Sequence, residues 1–142
     1  FVAQTNPGTP SGPIAKIASG GELARFMLAL KLVLSAGQNG QTMIFDEVDA
    51  GVGGAVAEAV GDRLHRLAQG NQLLVVTHSP QVAACGDHHW KVHKSSDTGL
   101  TASSVTLLEA EPRLEEVARM LSGAEVTDEA RAAARRLLAA PA

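Results

Sequence analysis

The chain has 142 residues, of which 15 are acidic and 12 basic, with a formal charge of −3 and a hydrophobic content of 45%. This composition predicts one globular domain and argues against both a disordered chain and a surface that is basic overall and coats nucleic acid. No uncharged apolar run reaches the roughly 18 residues of a membrane span, and the first residues do not resemble a signal peptide. The single cysteine, Cys85, excludes an internal disulfide and fits a reducing compartment.

The first part of the chain predicts a loop, a helix and a strand in that order. Residues 6–13 are rich in proline and glycine, which is typical of a loop. A helix is predicted from Ser19, because apolar residues then recur three and four positions apart. Its predicted buried face consists of Leu23, Phe26, Met27, Leu30, Val33 and Leu34. The short run at 42–45 then predicts a fully buried strand.

A second helix and a second strand follow, so the chain has a strand–helix–strand order. The predicted buried face of this helix consists of Val52, Val56, Val60, Leu64 and Leu67. The apolar run at 73–76 predicts another buried strand. This order is typical of a parallel pair, and it predicts an α/β fold with a parallel sheet flanked by helices.

The last third of the chain predicts an edge hairpin and two helices. Residues 89–94 and 101–108 alternate in polarity, with a turn predicted within 95–99. Apolar positions at helical spacing predict further helices at 112–122 and 127–139. Three histidines near the first hairpin strand, His88, His89 and His93, could suggest a metal site. Without a supporting carboxylate or cysteine nearby, solvated edge-strand histidines are the simpler interpretation.

Ionisable residues follow both strands of the predicted parallel pair. Asp46 and Glu47 come directly after the first strand, and Thr77 and His78 end the second. In open α/β sheets ligands bind outside the carboxyl ends of the strands, so we expect these side chains to meet at one edge. One carboxylate could hold hydrated Mg²⁺ against phosphate while its neighbour polarises water. These residue types alone also fit acids leading into a polar loop and a structural histidine.

The run Ser19-Gly20-Gly21-Glu22 has two interpretations that both stay open on this motif alone. In the first, Ser19 and Glu22 form a capping box at the start of a helix. In the second, the two glycines also let a phosphate approach the helix N-terminus, where free N–H groups and the helix dipole favour an anion.

The order of these motifs resembles that of the ATP-binding-cassette ATPases. The segment 19–23 matches their signature motif, 43–47 the Walker B strand, 48–51 the D-loop, and His78 the switch histidine. The longer segments 17–31, 44–54 and 77–89 are similar to the SMC/RecN branch, whose members maintain chromosomes and repair DNA. This resemblance implies an ATPase that uses ATP and Mg²⁺ and works through pairs of heads.

The resemblance also implies a role for each matching residue. In the chain's own ATP site, Asp46 would support Mg²⁺ through water, Glu47 would be the general base, and His78 would sense the γ-phosphate. Other residues would serve ATP held by a second head. They are the signature residues Ser19, Gly20, Gly21 and Glu22, together with Asp49, which would reach across the interface between the heads.

The family's Walker A loop has no counterpart in this sequence. No Gly-Lys dipeptide occurs, and no heptad arm is present. Residues 1–142 are therefore interpreted as the C-terminal lobe of a split ATPase head, and the chain alone is expected to be inactive.

The partners that the resemblance implies are an N-terminal Walker A lobe, a second identical head and DNA, with no membrane, in the bacterial cytoplasm at the nucleoid. The alternatives are another SMC-like chromosome-maintenance ATPase or a non-catalytic interaction module.

Overall fold

A computed structural model describes residues 2–4, 7–34, 40–97 and 100–140. The elements, in chain order, are β1 (Val2–Ala3), β2 (Gly12–Pro13), α1 (Ile14–Ile17), α2 (Gly20–Leu34), β3 (Thr42–Asp46), α3 (Gly54–Ala68), β4 (Gln72–Val76), α4 (Pro80–Ala84), β5 (His89–Asp97), β6 (Leu100–Leu108), α5 (Ala110–Ser122) and α6 (Asp128–Ala139). The α/β fold class is confirmed, with α1, α4 and the short β1–β2 pair in addition to the predicted elements.

The parallel pair β3–β4 packs on one of the two apolar cores that the described residues form. The two strands are in register from Thr42 opposite Gln72 to Asp46 opposite Val76, and α3 connects them. Residues from α2, β3, α3 and α4 meet in one apolar core beside this pair: Leu28, Met43, Phe45, Val48, Val60, Leu64, Leu67 and Val82. The predicted strand–helix–strand unit is therefore confirmed.

The prediction that both strands are fully buried is wrong for this chain. Burial alternates along β3, where Met43 and Phe45 are buried but Ile44 is 71% exposed. Leu74 and Val76 of β4 are likewise more than half exposed. Side chains on a strand point alternately to the two faces of the sheet. The core described above covers one face, and the other carries exposed apolar residues.

The predicted buried face of α2 is also partly wrong. The buried residue of this helix is Leu28, which is 1% exposed, and Ala24 and Leu32 pack beside it. Val33 is 74% exposed, and Met27 and Leu34 are exposed as well. The packed residues are four positions apart and form one narrow seam, so the helix turns only one stripe of its apolar surface toward the core.

In α3 the predicted buried face is confirmed except in the first turn. Val60, Leu64 and Leu67 are buried as predicted, but Val56 is 52% exposed and its neighbour Ala57 is buried instead. Val52, before the helix, is half-buried.

The C-terminal part forms the predicted hairpin and helix pair. β5 and β6 are antiparallel from His89 opposite Leu108 to Asp97 opposite Leu100, so residues 95–97 continue the strand instead of turning. Residues 98 and 99 of the predicted turn lie outside the described residues. The helices α5 and α6 share a second core of Leu114, Val117, Ala118, Ala130 and Ala134. Among the described residues, no helix has the length and apolar character needed to cross a membrane.

Candidate functional site

The carboxyl ends of β3 and β4 form one edge, as the sequence predicts. The N–H of Glu47 donates to the carbonyl oxygen of Val76 at 3.1 Å, so the chain leaves both strands at the same level. Asp46, Glu47 and His78 are all exposed there. We call these three residues the acidic edge. Its carboxylates and imidazole are accessible to a ligand from solvent.

Glu47 has a backbone conformation that is rare for a residue with a side chain. Its φ is +48°, and it is the one non-glycine residue with a positive φ among the described residues. The Glu47 carbonyl accepts from the N–H of Ala50 at 2.9 Å, which closes a tight turn directly after β3. A left-handed conformation costs an L-residue about 1–2 kcal/mol, and such strain is concentrated at functional positions.

Asp49 is buried within this chain. The residue is 1% exposed, and its Oδ2 accepts a hydrogen bond from the hydroxyl of Thr77. Its Oδ1 is buried with no hydrogen-bond partner in the described part of the chain. The predicted reach of Asp49 across a head–head interface does not match this geometry, because the carboxylate is enclosed and bonded to the same chain.

Hydrogen bonds hold the backbone of the segment that follows β4 on both sides of His78. The Thr77 hydroxyl oxygen accepts from the N–H of Ser79 at 2.9 Å, and Ser79 caps the N-terminus of α4. At the other end of α4, Arg113 of α5 donates to several backbone carbonyls, those of Ala83, Ala84, Gly86 and Asp87. The backbone around His78 is therefore held while its imidazole stays exposed.

The N-terminus of α2 is a capping box. The N–H and the hydroxyl of Ser19 donate to Glu22 Oε2 at 2.7 and 2.8 Å, and the N–H of Glu22 donates back to Ser19 Oγ at 3.3 Å. The hydrogen bond from the Ser19 backbone is the main cause that lowers the pKa of Glu22. The Glu22 carboxylate is thus engaged in capping, while Ser19 and Gly20 are exposed. We call Ser19, Gly20 and Gly21 the signature tip.

The signature tip touches the loop that follows Glu47. Arg25 Nη1 donates to the carbonyl oxygen of Ala50 at 3.1 Å. A Cβ atom placed on Gly21 would lie 2.6 Å from this same oxygen and 3.0 Å from Arg25 Nη1. The position therefore admits only glycine without a shift of the backbone. The roles of Arg25 and Thr77 in these contacts could not be read from the sequence, because each contact joins residues about 25 positions or more apart.

Possible metal ligands are sparse in this structure. Among the described residues, no three His, Cys, Asp or Glu side chains lie where they could share one metal ion. Mg²⁺ usually takes one or two carboxylates together with waters and substrate phosphates. The exposed carboxylate of Asp46 fits that kind of site, in which most of the ligands come from the nucleotide and water.

Curated relatives of this chain are bacterial DNA repair proteins. The chain is 49% identical over 138 residues to DNA repair protein RecN from Xylella fastidiosa, covering 97% of this chain and 25% of the relative. RecN from Deinococcus radiodurans is 53% identical over 134 residues, covering 94% of this chain and 23% of the relative. RecN from Bacillus subtilis is 44% identical over 138 residues, covering 97% of this chain and 24% of the relative. The chain thus spans about a quarter of the length of these relatives.

A solved structure has a similar fold. It comes from work on the structural biochemistry of ATP-driven dimerization and DNA-stimulated activation of SMC ATPases. The TM-score is 0.53 at 25% identity, and the match covers 81% of this chain and 66% of that chain. No protein-family model matches the chain.

Proposed function

Because this chain belongs to the RecN group of SMC-like ATPases and matches the C-terminal part of its relatives, we propose that it is the C-terminal lobe of a split ATPase head. In this proposal two heads pair around ATP and hydrolyse it, and the whole protein uses the cycle in DNA repair. The observation that carries the proposal is the acidic edge, where two carboxylates and an imidazole are exposed at the ends of paired parallel strands.

In the proposed reaction, the acidic edge serves the ATP that the chain's own head holds. Glu47 accepts a proton from the water that attacks the γ-phosphate. His78 contacts the γ-phosphate and responds to its release. Asp46 would hold Mg²⁺ through a water molecule, and the bound ion would neutralise charge on the phosphate oxygens. The positive φ of Glu47 supports this role, since a strained turn at a strand end is typical of a functional residue.

The signature tip serves the ATP that the second head holds. Ser19, Gly20 and Gly21 contact its γ-phosphate. The first N–H groups of a helix have no acceptor within the helix, so they can donate to an anion. The exposure of Ser19 and Gly20 supports this contact. Glu22 contributes as the cap that fixes Ser19, since its carboxylate is already bonded.

The exposed apolar face of the parallel pair supports a further lobe as partner. Ile44, Leu74 and Val76 line this face, and all are at least half exposed. Contiguous apolar surface on a soluble protein is typical of an interface. We propose that the N-terminal lobe, which would carry the Walker A loop, covers it in the intact head. DNA would be a partner of the intact protein.

The test is the variant Glu47→Gln in the intact protein. We expect this variant to bind ATP and to pair its heads as the wild type does, but to lose hydrolysis, because an amide cannot accept the proton. The matched control is Glu129→Gln, which removes an exposed carboxylate from the first turn of α6. ATP turnover, ATP binding and the oligomeric state are measured for both, and the 142-residue chain alone is expected to show no turnover.

Two results would contradict the proposal. Normal hydrolysis by the Glu47→Gln protein would remove Glu47 from its role as base. Pairing of heads that does not depend on nucleotide, in an intact protein that does not hydrolyse ATP, would favour a non-catalytic interaction module. Stimulation of the wild-type ATPase by DNA would support the link to DNA repair.

A further inference from the structure

The loop at 48–51 contacts both proposed phosphate-binding parts of the chain. On one side, the carbonyl of Ala50 meets Gly21 and Arg25 of α2. On the other side, the carboxylate of Asp49 accepts a hydrogen bond from the hydroxyl of Thr77, the residue before His78. Val48, between Glu47 and Asp49, is fully buried in the core. The loop is thus anchored between the signature tip and the acidic edge.

The contact with the signature tip is tight. A Cβ on Gly21 would lie 2.6 Å from the Ala50 oxygen, so only glycine allows the helix to lie this close to the loop. The hydrogen bond from Arg25 to the same oxygen at 3.1 Å opposes separation. Arg25 is half-buried, and its guanidinium joins the second turn of α2 to the loop. A displacement of the tip therefore moves Ala50.

The contact with the acidic edge is a short chain of hydrogen bonds. The N–H of Ser79 donates to the Thr77 hydroxyl oxygen, and this hydroxyl donates to Asp49. Within the described residues, the other carboxylate oxygen of Asp49 has no partner. Without Thr77, nothing else in this part of the chain would hold the buried carboxylate. A displacement of Asp49 therefore moves the backbone on both sides of His78.

We propose that Arg25 and Thr77 are positioning residues that link the signature tip to the acidic edge through residues 48–51. This inference rests on the proposed function, in which the tip and the edge act on different ATP molecules. Neither residue needs to touch ATP. Arg25 sets the position of the tip relative to the loop, and Thr77 sets the position of His78 and Glu47 relative to the same loop.

The test compares conservative and disruptive variants in the intact protein. Thr77→Val keeps the shape of the side chain but loses its hydroxyl, whereas Thr77→Ser keeps the hydroxyl. At Arg25, the variants are Arg25→Ala and Arg25→Lys, and the double variant combines Arg25→Ala with Thr77→Val. Turnover is measured together with the Kd for a non-hydrolysable ATP analogue.

We expect Thr77→Val and Arg25→Ala each to lower kcat on the order of 10-fold, since small misplacements of reacting groups are costly, with the analogue's Kd changed less than about twofold. Thr77→Ser should keep turnover near the wild-type value. The kcat of Arg25→Lys should lie between that of the wild type and that of Arg25→Ala. Because both residues act through one loop, the double variant should lose about as much as either single variant, about 10-fold and not 100-fold.

Several results would overturn the inference. They are wild-type turnover in Thr77→Val, an equal loss in Thr77→Ser, a double variant whose losses multiply, or weakened binding of the analogue in place of a lower kcat. Should Thr77→Val fail to fold, the Arg25→Ala and Arg25→Lys pair carries the test with the same thresholds. The Glu47→Gln protein separates the two proposals: if it is inactive while Thr77→Val is normal, only the positioning roles fail.

Discussion

The contrast between Gly20 and Gly21 gives a sharp test of the contact between α2 and the loop at 48–51. The two glycines are neighbours in the first turn of α2, and alanine is the same perturbation at both. A Cβ on Gly20 would meet no atom within 4 Å. A Cβ on Gly21 would lie 2.6 Å from the Ala50 oxygen, a backbone atom that cannot rotate away. The main difference between the two substitutions is therefore what the added methyl group meets.

The expected magnitudes follow from this geometry. Replacing glycine by alanine in a helix stabilises it by about 0.5–1 kcal/mol, because alanine loses less backbone entropy. We expect Gly20→Ala to show this gain or part of it. Overpacking a closed contact costs about 1–3 kcal/mol, so Gly21→Ala should be net destabilised by about 1–2 kcal/mol. The two variants should differ by about 2 kcal/mol.

The assay is urea-induced unfolding of the 142-residue chain and its two variants, followed by far-ultraviolet circular dichroism. Equal m-values are required, since a changed slope would indicate a different unfolded or native state. Gly21→Ala with a free energy of unfolding equal to or above that of Gly20→Ala would refute the close contact. The positioning role of Arg25 would then lose the geometry on which it depends.

Two further predictions concern stability. At Glu47, where φ is +48°, the free energy of unfolding of Glu47→Gly should exceed that of Glu47→Ala by about 0.5–1 kcal/mol in urea titrations, because only glycine adopts this conformation without strain. Equal free energies of unfolding for the two variants would contradict the strain. Glu116, which is 7% exposed, is bonded first by Arg119 and then by Lys91, and these bonds lower its pKa from 4.5 to about 2. The ionised Glu116 therefore contributes fully to the free energy of unfolding above pH 4.5, and this contribution is lost as the pH falls toward 2. Glu116→Gln should remove on the order of 2 kcal/mol of this pH-dependent stability, a figure reduced for solvent screening. Unchanged pH dependence in acid-unfolding curves of Glu116→Gln would show that the ion pairs contribute nothing.

Local sequence patterns predicted the longer helices and strands and the positions of the exposed site groups, but not α1, α4 or the β1–β2 pair. The capping box of Ser19 and Glu22 follows from residues three positions apart, and the structure contains the hydrogen bonds it predicts. The acidic edge follows from two apolar runs that each end in ionisable residues. Both features depend on neighbouring residues or on the general geometry of parallel strands, so the sequence was sufficient to predict them.

Only the tertiary structure decided which side of each element faces the core. Helical spacing in α2 predicted that Met27 would be buried, yet Met27 is 41% exposed and the adjacent Leu28 is buried. Leu28 is buried because it is the residue that packs against β3, α3 and α4 in the core. Asp49 was predicted to face a partner, but it is enclosed by contacts that include Thr77, 28 residues away. Periodicity reports that a helix or strand has an apolar side. The neighbours that bury one stripe of it, or that bond a carboxylate, come from distant parts of the chain and are set only when the chain folds.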